Sequence, residues 1–167
     1  MLRSVPHTAI VFRSRSGGCP PQNRSKVMLL QPLTHPQLVG ALAAAGHGSR
    51  ILIADGNYPV ASASSARAEI IYLNLRPGLI DAVSVLRAIQ TAVPIEAATL
   101  MTPSGADPDL FQDFAEALPS ITFSRVAREQ FYDECRSDNT IVVIATAETS
   151  HYGNLLLTIG VVPMETN

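Results

Sequence analysis

The sequence predicts an α/β fold, a three-layer αβα arrangement around a mostly parallel or mixed sheet of about six strands. Short apolar runs alternate along the chain with amphipathic stretches at helical spacing, which is the pattern of that class. Some runs, such as 141–145, are apolar at every position and β-branched at all but the last, as in strands that are covered on both faces. The length of 167 residues, 47% of them hydrophobic, fits one domain with a sizeable core.

The first half of the domain begins with a predicted helix. Thr34 can cap it, Pro36 suits its first turn, and Gly46 stops it. Apolar side chains recur between these residues at helical spacing. The elements predicted next are a strand over 51–54, a loop of small and polar residues over 59–68, a strand over 69–74 and a helix over 79–91.

The second half continues the alternation of strands and helices. Its predicted elements are a strand over 94–101, a loop over 102–109, a helix over 108–118, a strand over 120–124, a helix over 127–136, and strands over 141–145 and 155–159. The strands are enriched in β-branched residues, and the helices carry apolar stripes.

The charge of the chain divides at about Met28. Residues 1–27 carry five basic residues and no acid, whereas the remainder carries seven arginines against fourteen acids. Residues 14–25 are loop formers without periodicity, which predicts a disordered basic extension over 1–27 and a folded domain over 28–167. The extension lacks a secretory apolar segment. An upstream start codon and organelle targeting through an Arg- and Ser-rich leader remain alternatives.

The composition and the absence of several motifs restrict the possible functions of the protein. An acidic domain without a basic patch argues against nucleic acid, and no apolar run reaches the roughly 18 residues of a membrane span. Cys19 and Cys135 lack metal-ligand spacing and are expected to be free thiols of a reducing, cytoplasmic compartment. Phosphate-loop, dinucleotide, zinc-protease and serine-nucleophile motifs are absent. The sequence therefore predicts no cofactor or metal and a small polar ligand.

One candidate site begins at His47, which lies between two glycines, and continues to Asp55 at the end of the strand 51–54. That strand spans roughly 13 Å. His47 and Asp55 can therefore converge only if the glycine-flanked turn folds the imidazole back over an edge of the sheet. Taken alone, His47 could be a helix-terminal or surface histidine, and Asp55 could cap a turn.

Further polar side chains precede and follow the last strands. Tyr152 and Asn154 alternate and so face one side of an extended backbone, where a phenol and an amide can bridge a polyol. Arg128 opens a helix, four residues before Tyr132. The alternatives are hydrogen bonds at the sheet edge for Tyr152 and Asn154 and a solvated surface position for Arg128.

In this order and spacing, these motifs resemble the sugar mutarotases that include D-ribose pyranase and L-fucose mutarotase. The resemblance runs from about residue 28 to 162 and is carried by Gly46-His47-Gly48, Asp55 with Asn57-Tyr58-Pro59, Arg128 with Tyr132, and the stretch 148–154. It implies that His47 is the catalytic acid and that the sugar-binding residues are Asp55, Arg128, Tyr152 and Asn154. Glu148, Tyr132 and Gly153 are candidates for a supporting role.

The resemblance implies an isomerase that opens a sugar ring by acid–base chemistry and so interconverts anomers, and possibly pyranose and furanose forms, without cofactor or metal. Arg128 and the Tyr-Gly-Asn order at 152–154 are similar to the L-fucose type. Ribose-pyranase specificity and a non-catalytic sugar-binding or regulatory protein remain the alternatives. Departures from the family pattern at Gly56 and Ala147 leave the sugar open.

The family resemblance further implies a homo-oligomer of five or ten chains. Glu148 could hold Tyr152 or the imidazole of His47, or be structural. His35 and His151 are expected on the surface.

Overall fold

The computed structural model describes residues 31–162. The extension predicted over 1–27, Met28 and Cys19 lie outside these residues, so the predictions about them stay predictions. None of the helices within 31–162 is long and apolar enough to cross a membrane.

A six-stranded mixed sheet forms the centre of the molecule. The strands are β1 Arg50–Ala54, β2 Glu69–Tyr72, β3 Ile95–Met101, β4 Phe123–Val126, β5 Thr140–Ala145 and β6 Leu155–Ile159, in the spatial order β2-β5-β1-β6-β3-β4. Strand β6 is antiparallel to both of its neighbours, β1 and β3, and the other pairings are parallel. The carboxyl ends of β1 to β5 therefore lie in one row with the start of β6. We call this row of strand ends the carboxyl edge of the sheet, and the opposite row the amino edge.

Helices cover both faces of this sheet. They are α1 Pro36–Ala44, α2 Val60–Ala63, α3 Ala82–Gln90, α4 Leu110–Ala117 and α5 Arg128–Arg136. Helices α1, α3 and α4 pack on one face, and α2 and α5 pack on the other. The predicted three-layer α/β fold is confirmed.

Strand β1 shows why its sequence is apolar throughout. Ile51 and Ile53 point into the core under α1, α3 and α4, whereas Leu52 and Ala54 point into the core under α2 and α5. All four are 0% exposed. Each large side chain buried in this way stabilises the fold by about 1.5–3 kcal/mol.

Several boundaries differ from the sequence predictions by one to three residues, and two of the differences, the cap of α1 and the start of β4, have clear physical reasons. The cap of α1 is His35 rather than Thr34, because Nδ1 of His35 accepts the Leu38 N–H at 3.3 Å. His35 is thus a capping residue and not only a surface one. Strand β4 begins at Phe123 rather than at 120, because the chain is still turning there, with the Ile121 N–H bonded to the Leu118 carbonyl at 3.1 Å.

The loop predicted over 59–68 contains the short helix α2. The Tyr58 hydroxyl donates to the Ala63 carbonyl at 2.8 Å and closes the turn of the helix. Val60 and Ala63 are buried against α5. This hydrogen bond spans only five residues, but the small and polar composition of the segment does not reveal it.

Candidate active site

A small cavity lies at the edge of the sheet where β1 and β3 end and β6 begins. Its volume is about 170 Å³. Its lining comes from the end of β1, the end of β3, the start of α5 and the loop before β6: Asp55, Asn57, Tyr58, Met101, Arg128, Tyr132, His151, Tyr152 and Asn154. Crevices at the carboxyl ends of α/β strands are the usual ligand sites of such folds.

Asp55 and Asn154 form the buried floor of this cavity, each 4% exposed. The Asp55 N–H donates to Oδ1 of Asn154 at 2.9 Å, and Nδ2 of Asn154 donates to Oδ2 of Asp55 at 2.8 Å. The carboxylate also accepts the N–H groups of Asn57 at 2.9 Å and Gly153 at 3.1 Å. Burial raises the pKa of Asp55, and these hydrogen bonds offset only part of that rise.

Tyr152 and Arg128 form a second polar group at the cavity. Nη2 of Arg128 donates to the phenol oxygen of Tyr152 at 3.0 Å, and the guanidinium carbon lies 5.3 Å from the centre of the ring. Ser104, in the loop after β3, places its Oγ 2.9 Å from the same phenol oxygen. Ser104 is not among the predicted site residues, because nothing in the sequence of the loop 102–109 marks it.

Aromatic side chains form an apolar wall. The rings of Tyr58 and Tyr132 meet edge to face with their centres 5.4 Å apart, and Met101 lies beside them in the cavity lining. Small-molecule sites commonly combine such apolar surface with a few placed polar groups. Sugars present C–H surface as well as hydroxyls, so this lining fits a polyol.

Glu148 holds neither Tyr152 nor His47. Its carboxylate is buried and accepts the N–H groups of Ala82 at 3.3 Å, Thr149 at 2.9 Å and Ser150 at 2.8 Å. The side chain therefore joins the start of α3 to the loop before β6. Of the three roles that the sequence left open for Glu148, these contacts support the structural one.

Only glycine fits at position 153, because the surrounding atoms leave no space for a side chain. A Cβ at this position would lie 2.9 Å from Cγ of Glu148 and 2.9 Å from the Ser150 carbonyl oxygen. The residue thus lets the loop before β6 pack closely beneath Tyr152. Its supporting role in sugar binding stays a prediction.

His47 does not reach this cavity. It precedes β1 at the opposite edge of the sheet, and the five-residue strand between the two edges spans about 16 Å. Its Nε2 lies 2.9 Å from Oε2 of Glu96, which is at the start of β3, and both side chains are exposed, at 59% and 41%. The fold-back that would bring His47 to Asp55 does not occur within one chain, and Glu96, its actual partner, was missed by the sequence analysis.

His151 is exposed, as expected, but it also lines the cavity. Among residues 31–162, no group of three or more His, Cys, Asp or Glu side chains could hold a metal ion. Cys135 is a free, buried thiol whose pKa is raised by burial to about 12, so it is unreactive near neutral pH.

The fold and the cavity define a class: an α/β protein with a small site for a polar, polyhydroxylated ligand at the carboxyl edge of its sheet. The sequence model of the RbsD / FucU transport protein family matches residues 28–162. The chain belongs to this family.

Its relatives agree with that assignment. Human fucose mutarotase is 32% identical over 146 residues, which is 79% of this chain and 92% of that protein. The crystal structure of the fucose mutarotase from Streptococcus pneumoniae in complex with L-fucose is 28% identical, covers 82% of this chain and 100% of that chain, and has a TM-score of 0.66. Bacillus subtilis RbsD complexed with D-ribose, at 22% identity, 77% and 94% coverage and a TM-score of 0.68, shares the fold.

Proposed function

We propose that the protein is a monosaccharide mutarotase that interconverts the anomers of L-fucose or a similar sugar by acid–base ring opening. The observation that carries this proposal is the convergence of Asp55, Arg128, Tyr152 and Asn154 on one small cavity. The cavity is below the 300–1,000 Å³ of sites for drug-sized ligands, which suits a single sugar ring. Relatives that bear the name fucose mutarotase support the same activity.

The chemistry needs two proton transfers. A pyranose opens when its ring oxygen gains a proton and its anomeric hydroxyl loses one, and closing on either face of the aldehyde reverses both steps. Positioned acid and base groups accelerate such steps by about 10²–10⁴-fold. Histidine is the side chain suited to give and take protons near neutral pH.

His47 lies at the opposite edge of the sheet from the cavity of its own chain. We therefore propose that His47 of a second copy of the chain completes the site. His47 is exposed and is oriented by Glu96 at 2.9 Å, as an imidazole offered to a partner would be. A contact that joins the amino edge of one sheet to the carboxyl edge of the next is head-to-tail, and such contacts form a ring when the rotation between neighbouring chains closes. We therefore propose a cytoplasmic homo-oligomer, of five or ten chains by family resemblance.

Arg128 supports the fucose-type specificity over the ribose-type one. Its planar guanidinium is already fixed by Tyr152 and presents several donors to the hydroxyls of the ligand. We propose L-fucose, or a sugar of similar hydroxyl pattern, as the preferred substrate, with D-ribose as the second candidate.

The separation of His47 from the cavity favours one alternative, a non-catalytic sugar-binding protein. Exchange NMR of anomeric protons, with L-fucose and D-ribose in turn, separates the two functions. The mutarotase proposal expects the protein to accelerate exchange and His47→Ala to lose most of that acceleration while the fold persists. Saturable binding of either sugar without accelerated exchange would establish the binding protein instead.

A further inference from the structure

A tight turn before β1 holds His47. The turn runs from Gly46 to Ser49 and is closed in both directions, because the Gly46 N–H donates to Oγ of Ser49 at 3.2 Å and the Ser49 N–H donates to the Gly46 carbonyl at 3.1 Å. Gly48, its third residue, has a φ of +80°, which glycine adopts without strain. The glycines beside His47 therefore build a defined turn at the amino edge of the sheet.

The end of β6 joins this turn to the start of β3. On one side, the Gly48 N–H donates to the Ile159 carbonyl and the Ile159 N–H donates to the Ser49 carbonyl, both at 2.9 Å. On the other side, the Gly160 N–H donates to the Pro94 carbonyl at 2.9 Å. The turn and the start of β3 are therefore held at a fixed separation by the same strand.

Glu96 bridges that separation from the start of β3. Its Oε2 lies 2.9 Å from Nε2 of His47. Gly160 leaves room for the glutamate, because a Cβ there would lie 3.1 Å from Cβ and 3.6 Å from Oε2 of Glu96. Arg50, the cation that follows the turn, pairs instead with Glu134 of α5 at 3.3 Å. The carboxylate of Glu96 is thus placed to serve the imidazole.

The rival interpretation of this contact is a surface ion pair that only stabilises the fold. Both side chains are exposed, and exposed pairs contribute about 0–1 kcal/mol. The strands that carry them are already joined through β6 by the hydrogen bonds of the sheet. The contact therefore adds little to stability. A carboxylate that holds one ring nitrogen does orient an imidazole, which is the part played by the third group in many acid–base sites.

The hydrogen-bonding capacity of the pair decides which ring nitrogen reacts. An ionised carboxylate can only accept, so Nε2 of His47 carries a proton whenever Glu96 is ionised. In the neutral imidazole the other nitrogen, Nδ1, is then the acceptor, and in the imidazolium Nδ1 carries the second proton. Within residues 31–162, Nε2 is the ring nitrogen of His47 that forms a hydrogen bond. Nδ1 is therefore the atom that gains and loses a proton.

We propose that Glu96 is the positioning residue of His47 and that Nδ1 of His47 gives the proton to the ring oxygen of the sugar. This proposal rests on the mutarotase function. The bond from the ring oxygen to the anomeric carbon breaks, and the ring oxygen keeps the electron pair and takes the proton from Nδ1. The anomeric hydroxyl loses its proton to an acceptor in the cavity of the other chain, which leaves the aldehyde. Closure on the other face returns both protons, and Nε2 keeps its proton on Glu96 throughout.

NMR of the imidazole nitrogens tests the pair on the full-length protein without any sugar. The chain has four histidines. At mildly alkaline pH we expect the Nε2 proton of one neutral histidine to be protected from exchange with water, and to be lost in His47→Ala and in Glu96→Ala. Glu69→Ala is the matched control, because Glu69 is an exposed glutamate that also begins a strand at the amino edge, and it should keep the protected proton. An unprotected Nε2 proton in the parent, or a neutral ring protonated at Nδ1, would overturn the proposal.

Exchange kinetics with L-fucose test the positioning role. Glu96→Ala should lower kcat by about 10²-fold, the effect of misplacing a catalytic group by about 1 Å. Its KM should stay close to the parental value, because the cavity of the other chain binds the sugar. Glu69→Ala should keep the parental kcat, and light scattering should show the parental size for both variants.

The outcomes separate the role of Glu96 from the mutarotase function. A parent that accelerates exchange while Glu96→Ala keeps the parental kcat would overturn the role of Glu96 alone. Activity that Glu96→Ala loses only because its oligomer dissociates would do the same. A parent that exchanges no sugar would overturn the mutarotase function and the proton transfer from Nδ1 with it.

Discussion

Replacing Glu148 with alanine should destabilise the fold by about 2–4 kcal/mol. The Ala82 N–H, on a residue that is 0% exposed, would lose its acceptor, and an unpaired buried N–H costs about 1–3 kcal/mol. The N–H groups of Thr149 and Ser150 lie nearer the surface, where water can replace the carboxylate, so each adds about 0.5–1.5 kcal/mol at most. The start of α3 also loses a favourable negative charge.

Urea denaturation measures this change as a lower free energy of unfolding. For a chain of this size, 1 kcal/mol corresponds to about 2–4 °C in Tm, so calorimetry should show a fall of about 5–15 °C. Glu116→Ala is a matched control, because Glu116 is an exposed glutamate on α4, and it should change the stability by less than about 0.5 kcal/mol. If Glu148→Ala is as stable as Glu116→Ala, the carboxylate does not join α3 to the loop before β6 as described.

Three further predictions concern the loop before β6, the start of α3 and the sugar. Gly153→Ala places a Cβ 2.9 Å from the Ser150 carbonyl oxygen, so it should cost about 1–3 kcal/mol in urea denaturation and weaken sugar binding by displacing Tyr152; parental stability would show that the loop has room. Burial raises the pKa of Asp81, but hydrogen bonds from the N–H and Oγ of Ser84 outweigh this effect, and the net pKa lies below 3.8. The ionised cap therefore stabilises the fold at pH values above 3.8, and this stabilisation is lost as the pH falls further. Asp81→Ala should therefore cost about 1 kcal/mol at neutral pH and less as the pH falls further below 3.8, whereas a loss that does not change with pH would contradict the cap. Arg128→His should reduce L-fucose exchange more than D-ribose exchange, by about 1–3 kcal/mol in kcat/KM, and equal effects would remove the argument for fucose.

The fold could be predicted because its signals are local. The apolar run at β1 and the stripe of α3 are set by neighbours in the sequence. Strand β1 appears where the run places it, and α3 lies within the predicted 79–91 but begins at Ala82, because Asp81 caps it. Helix α2 was missed because its four small residues are too few to show a helical stripe, and the burial of Val60 and Ala63 against α5 depends on the fold.

The site could be predicted only in part. Asp55, Arg128, Tyr152 and Asn154 converge on one cavity, as their positions at strand ends suggest. Ser104 and Glu96 were missed because each gains its partner across 48 or 49 residues of chain, and no pattern near either residue marks it. The separation of His47 from Asp55 follows from the direction of β1, whose two ends lie at opposite edges of the sheet.

The central claim is that a sugar is opened between the cavity of one chain and His47 of another. Mixing two inactive variants, His47→Ala and Arg128→Ala, into common oligomers tests it most directly, with exchange NMR of L-fucose as the readout. In a head-to-tail ring, a site with both an intact cavity and an intact histidine forms wherever the two variants meet in the right order, which random mixing gives at about a quarter of the contacts. Mixing should therefore restore about that share of the parental exchange rate. Mixed oligomers that stay as inactive as either variant alone would contradict it.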